Sequence, residues 1–180
     1  MLELSLHVLD LLENATRAGA TEVHVTLRED PGHDRLEIAV EDNGPGLPTA
    51  PENVLDPFYT TKQGKRTGLG LSLFRAAAEQ AGGTFCLGSS ETLGGTAACA
   101  TFRLGHVDRA PLGDLADTLT SIILTHPEVN VCCTIRTARA EVSAASRDIA
   151  QELAAPRPNS FAVAREFERR IRGALTESKA

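Results

Sequence analysis

The nine residues Val40–Pro48, VEDNGPGLP, decide how the rest of the chain is read. They follow RLEIAV (35–40), in which Leu36, Ile38 and Val40 alternate onto one face as a half-buried strand requires. The strand ends on a carboxylate and an amide, Asp42 and Asn43, and the glycines and prolines that follow forbid regular structure. Asn43–Gly44 alone would signal a type I′ hairpin turn. PGLPTAPEN (45–53), however, cannot supply a returning strand. The remaining reading is a backbone shaped to come close to a flat, polar ligand.

The segments on either side show clear periodicity. LELSLHVLDLLENATRAGA (2–20) places Leu4, Val8, Leu12 and Ala15 on one side with Leu9 adjoining, an amphipathic helix with Gly19 at its C-terminal stop. TEVHVTL (21–27) alternates through Val23, Val25 and Leu27, and turn-rich EDPGHD (29–34) joins it to RLEIAV as a hairpin. From Gly44 to Gly70 there is little periodicity, which inside a compact domain marks a lid or binding loop. TGLGLSLFRAAAEQAGG (67–83) predicts a helix over Leu71–Ala81, and TFCLGSS (84–90) and TAACATFRL (96–104) predict two more strands joined by ETLGG. The order predicts an α+β fold, a two-layer sandwich of helices on an antiparallel or mixed sheet. Beyond Leu104 the character changes to a small α/β C-terminal extension. GHVDRAPLGD (105–114) reads as a linker, with a helix from about Leu112 to Leu124, a hairpin around Thr137–Arg139, a short helix capped by Ser146 and a basic helix after Pro158. The expected division is 1–104 and 105–180.

Composition narrows the function classes. A net charge of −6, 4% aromatic residues and no tryptophan argue against a nucleic-acid partner, which demands a basic face and stacking platforms. No apolar run approaches the roughly 20 residues needed to cross a bilayer, and MLELSLHVLDLLENA lacks a basic leader. Cys86, Cys99, Cys132 and Cys133 show no CxxC spacing, and Cys86 and Cys99 lie in apolar, strand-like runs. A reducing, cytoplasmic setting is the expectation.

Four elements carry candidate chemistry. Asp10 and Asn14, spaced i,i+4, project from one face of the first helix. An amide oxygen suits Mg²⁺, and a carboxylate one turn earlier can orient or deprotonate a water, although such a pair alone is usually a solvated helix face. Asp42, ending a strand at a pocket, can accept hydrogen bonds from an exocyclic amine such as that of adenine, with Gly44 and Gly46 allowing backbone contact. DPFYTTKQGKRTGLGLS (56–72) offers Lys62 and Arg66 as charge, Thr60, Thr61 and Thr67 as hydroxyls, and Gly68 and Gly70 at a helix start whose free amides suit an anion. It is neither a P-loop nor a dinucleotide fingerprint. Thr96, a hydroxyl on a late strand, is unremarkable by itself.

In this order and spacing the four elements resemble the Bergerat ATP-binding fold of the superfamily that unites DNA gyrase, Hsp90, histidine kinases and MutL. DLLENATRAGA (10–20) resembles its N box, EDNGPGLP (41–48) its first glycine box, DPFYTTK (56–62) its F box and TGLGLSL (67–73) its second glycine box. The resemblance covers Leu4 to about Leu104. It implies ATP and Mg²⁺ as ligands, with Asn14 holding the metal and Asp42 accepting the adenine amine. Gly44 and Gly46 would line the base, and Thr96 would bond near it. Lys62 would reach the phosphates from a lid; Thr67, Gly68, Leu69 and Gly70 would lie against them. Asp10 would be the catalytic carboxylate, where hydrolytic members carry a longer glutamate, so fast hydrolysis is not implied. His7 reads as structural rather than as a phosphate acceptor, and the phospho-accepting helical hairpin of histidine kinases is not seen upstream. The whole chain also resembles small stand-alone ATP-binding proteins encoded beside bacterial iron-only hydrogenases, which implies a redox-linked regulatory setting.

These expectations converge on an Mg-ATP-binding regulatory protein that passes a phosphoryl group to a regulatory protein partner. A nucleotide-sensing interaction module and a slow ATPase are the alternatives, and a homodimer is left open.

Overall fold

The structure, a computed structural model, describes residues 3–55 and 69–179. The expected F box with Lys62, together with Thr67 and Gly68, lies outside the described residues.

The first periodic segment forms α1 (Leu4–Arg17), which buries Leu4, His7, Val8, Leu11, Leu12 and Ala15. It ends in a Schellman motif. Gly19, at φ +92°, donates its N–H to Thr16 O, and Ala20 N–H donates to Ala15 O, both at 3.0 Å. The hairpin follows as β1 (Glu22–Asp30) and β2 (Arg35–Asp42) around a 3₁₀ turn at Pro31–His33. A short α2 (Pro51–Val54) interrupts the irregular stretch. Next, α3 spans Leu69–Gln80, starting two residues earlier than its periodicity predicts. Gly82 and Gly83 close it with the same motif, donating to Glu79 O and Ala78 O. Then come β3 (Phe85–Ser89) and β4 (Thr96–Arg103), and after them α4 (Leu115–Thr125), β5 (Asn130–Arg136), β6 (Glu141–Ala145), α5 (Ser146–Glu152) and α6 (Phe161–Lys179).

All six strands form one mixed sheet in the order β3-β4-β2-β1-β5-β6, in which only the β1–β5 pair is parallel. One register row runs across it through Leu87, Ala98, Val40, Val25, Cys133 and Ala144, all on the face covered by helices. Small side chains on β4 leave room for Phe74 of α3, which packs on Phe85 and Phe102 at centroid distances of 5.8 and 6.0 Å. Burying such a ring contributes about 1.5–3 kcal/mol. The opposite face carries Glu22, His24, Thr26, Glu37, Glu41 and Thr134, all of them only partly buried. This is the expected two-layer α+β sandwich.

The expected boundary at 104/105 falls between β4 and α4, and the sheet continues across it. The linker meets the start of α1. Leu4 N–H and Ser5 N–H, unsatisfied within their own helix, donate to Pro111 O and Leu112 O at 2.9 and 2.8 Å. Helix α4 packs on α1, and α6 packs on α4, α5 and the β5–β6 hairpin. Arginines of the basic last helix are engaged within the fold: Arg169 and Arg170 with Glu166, Arg170 with Glu152, and Arg172 with Glu168 and Asp114. One local expectation fails. Ser146 does not cap α5; its hydroxyl is fully buried, donates to Asn130 Oδ1 and accepts from Val131 N–H. The capping contact comes instead from Asn130 on β5, whose Oδ1 accepts from Arg147 N–H at 3.1 Å.

Burial pushes the Cys99 and Cys132 thiols up to about 11 and Cys133 to about 12, so they are neutral at physiological pH. Among the described residues no helix is long and apolar enough to cross a membrane.

His7 is enclosed in the core at 2% exposure, stacked on Phe74 at 5.2 Å, with Nδ1 buried and unpartnered among the described residues. Burial drives its pKa down to about 4, aided by the N-terminal ammonium and opposed by Asp10. The unfolded chain therefore binds the proton more readily. The stability this neutral imidazole contributes is fully present above the unfolded value of 6.5 and is lost as pH falls toward 4. Urea unfolding should lose on the order of 3 kcal/mol from this residue across that window, and His7→Phe should flatten the profile. An unchanged pH dependence in that variant would show that His7 is not the titrating group.

Candidate functional site

Asp42 is the last residue of β2, in the sheet interior between β1 and β4, and the chain leaves the sheet immediately after it. Its Oδ1 accepts from Gly44 N–H at 2.8 Å and Thr96 N–H at 3.3 Å. Two backbone donors thus orient the carboxylate, and among the described residues its Oδ2 is left without a donor. Gly95 makes the arrangement possible. A Cβ there would stand 2.3 Å from Asp42 O, 2.4 Å from Asp42 Oδ1 and 2.6 Å from Gly44 N, so no side chain fits. Gly46 takes φ +80°, a left-handed conformation suited to glycine.

Asn43 turns away from this carboxylate. Its Oδ1 accepts from Thr21 N–H and Glu22 N–H at 2.8 and 2.9 Å, and its Nδ2 donates to Thr21 Oγ1 at 3.0 Å. It is the anchor that ties the loop to the α1–β1 junction. Sequence reasoning missed both Gly95 and Asn43. A glycine pair ahead of Thr96 and an amide at a strand end were the available signals.

On α1, Asp10 and Asn14 lie one turn apart and are both half-buried. Asp10 meets the first turn of α3: a Cβ on Gly70 would sit 2.7 Å from Asp10 Oδ2. A side chain at this position would therefore displace the Asp10 carboxylate from between α1 and α3. Asn14 Oδ1 accepts from Arg17 Nη1 at 3.2 Å, which leaves a second lone pair on a hard, neutral oxygen. Beyond α1, Ala20 Cβ lies 3.7 Å from where a Gly44 Cβ would be. One helix and its continuation therefore touch both halves, the Asp42 loop at one end and the start of α3 at the other.

A family model described as histidine kinase-, DNA gyrase B- and HSP90-like ATPase matches residues 2–106. The chain belongs to this ATPase family. ATP is accordingly its ligand, and Asp10, Asp42, Gly70 and Gly95 all lie within the matched residues. Among curated proteins, the sensor kinase CckA of Brucella abortus is 42% identical over 72 residues, covering 39% of this chain and 7% of that protein. The sensor protein ChvG of Agrobacterium fabrum is 37% identical over 84 residues, covering 43% of this chain and 14% of that protein. The matched part is thus a small fraction of the length of these relatives. Among solved structures, the ADP-bound MutL ATPase domain of Aquifex aeolicus is 18% identical, with a TM-score of 0.47 over 76% of this chain and 60% of that one. The topoisomerase IV ATP-binding domain of Francisella tularensis is 13% identical, with a TM-score of 0.47 over 77% of this chain and 83% of that one.

Proposed function

We propose that the domain binds Mg-ATP and transfers its γ-phosphoryl group to a side chain of a partner protein. The observation that carries the reading is the Asp42 carboxylate, oriented by Gly44 and Thr96 amides with one oxygen left for a ligand's amine. Adenine would lie over Gly44 and Gly46, and the phosphates would point toward the start of α3. There the amides of Leu69 and Gly70, with Gly68, Thr67 and Lys62 from the preceding segment, would meet them. Asn14 would hold Mg²⁺, an ion that takes amide, water and phosphate oxygens and neutralises charge on the transferred group.

Two points favour transfer over hydrolysis. Asp10 is one methylene shorter than the glutamate expected of fast hydrolytic members, and two of the curated relatives are named as a sensor kinase and a sensor protein kinase. In the transfer an acceptor oxygen or nitrogen forms a bond to the γ-phosphorus while the bond to the β–γ bridging oxygen breaks. ADP leaves, and Asp10 accepts the proton of a hydroxyl acceptor. His7, buried under Phe74, is not placed to receive the group.

The test supplies γ-labelled ATP and Mg²⁺ to the purified protein, alone and with lysate of its source organism, and follows the label into free phosphate and into protein. A labelled protein band that disappears with Asn14→Ala is the expected result. Tight ATP binding with no label leaving the nucleotide would replace this reading with a nucleotide-gated interaction module. Label released only as free phosphate would replace it with a slow ATPase.

A further inference from the structure

The more polar face of the sheet carries a cluster for which the nucleotide site has no use. Glu22 and His24 are two residues apart on β1 and so share a face, and β5 places Cys132 directly beside His24 in the parallel register. Glu22 Oε1 lies 2.9 Å from His24 Nε2, and with Cys132 Sγ the three donor atoms all fall within 4.8 Å of one another. All three side chains are half-buried.

The sulfur is also oriented from behind. Asn130, at 8% exposure, accepts at Oδ1 from Ser146 Oγ and Arg147 N–H at 3.2 and 3.1 Å. Those two donors settle which amide atom is oxygen, so Nδ2 is committed to donate to Cys132 Sγ, at 3.4 Å. A carboxylate–imidazole contact at this exposure is weak and explains Glu22 and His24 alone. It does not explain a sulfur held within 4.8 Å of both by a buried amide that is itself fixed in place. Such a pattern suits three metal ligands with a partner holding one of them in place.

We propose that Glu22, His24 and Cys132 form a binding site for a divalent transition-metal ion of the zinc type. The mixed oxygen, nitrogen and sulfur set suits such an ion and is wrong for Mg²⁺ or Ca²⁺, which take oxygen shells. Three protein ligands leave a fourth position for water or an incoming ligand. The surrounding charge is mixed: Glu41 of β2 stands opposite His24 in the antiparallel register, and Glu22 and Asp148 act on Cys132 while Arg147 opposes them. The proposal does not depend on the nucleotide reading.

The test uses the untagged full chain, reduced and stripped with a chelator, and titrates it with Co²⁺. Saturation at one equivalent is expected, with thiolate-to-cobalt charge-transfer absorption and the strong visible bands of a tetrahedral ion, displaced by Zn²⁺. Cys132→Ser should remove the charge-transfer band and weaken Zn²⁺ binding by more than the about 10–100-fold that losing an outer-shell partner costs. Cys86→Ser, at an exposed thiol, should change nothing. Circular dichroism checks the fold of each variant, and Glu22→Gln, at a half-exposed side chain, gives a second readout, weaker binding with the charge-transfer band kept. A titration that never saturates, a band that survives Cys132→Ser, or unchanged affinity in Glu22→Gln would overturn the site.

Discussion

Asp42→Asn is expected to fold as the parent protein does and to bind ATP at least about a hundredfold more weakly. Both outcomes follow from the two oxygens having different tasks. An asparagine keeps Oδ1, so the Gly44 and Thr96 amides retain their acceptor and the loop keeps its shape. The change falls on Oδ2, where an NH₂ group replaces the acceptor that the proposed site offers to adenine and sets donor against donor. Losing a hydrogen bond to a charged acceptor costs about 1.5–3 kcal/mol, and an unpaired donor on each side adds to it, which places the loss near two orders of magnitude. Calorimetric titration reads the affinity, and the thermal unfolding midpoint should stay within a few degrees of the parent's. Relative preference should also move toward a 6-oxo purine nucleotide, whose carbonyl can accept from the new amide. A variant that binds ATP as the parent does would remove Asp42 from the adenine site.

A chain ending before His106 is expected to yield no soluble, folded domain, although the family match ends at residue 106. The missing part contributes β5, which pairs with β1 from Glu22 to Arg28, and α4, which covers α1. It also contributes the Pro111 and Leu112 carbonyls that satisfy the first N–H groups of α1, the helix bearing Asp10 and Asn14. Without it β1 becomes an open edge and one side of the core is uncovered. A milder variant asks the same question quantitatively. Phe167 of α6 is fully buried, so Phe167→Ala should cost about 3–5 kcal/mol in urea unfolding, a large share of the roughly 5–15 kcal/mol that stabilises a domain. A truncated chain that stays soluble and binds ATP but loses partner binding would instead favour docking by residues 105–180.

Much of the candidate site was legible because its signals are local. Alternation through Leu36, Ile38 and Val40 and the break at Asp42 located the end of a strand, and the i,i+4 spacing of Asp10 and Asn14 located one helix face. Gly19 and Gly82–Gly83 marked helix ends where positive φ is required. What stayed illegible is long-range. Gly95 is buried because a strand more than fifty positions away in sequence holds the carboxylate it borders, as its own N–H bond to Asp42 O shows. Asn43 read as a turn residue and serves as a tether. Ser146 read as a cap from its local position, but burial under β5 gave the capping contact to Asn130.

The sequence by itself determined that this chain folds as α+β, where its helices and strands lie, and that its first 104 residues resemble an ATP-binding domain. The reason is that periodicity, glycine placement and motif order are properties of neighbouring residues. Only the tertiary structure decided that the last 75 or so residues extend the same sheet, because strand pairing depends on which apolar faces meet rather than on which residues adjoin. It alone placed β5 parallel to β1, and so set Cys132 beside His24, two residues more than a hundred positions apart whose meeting no local pattern announces.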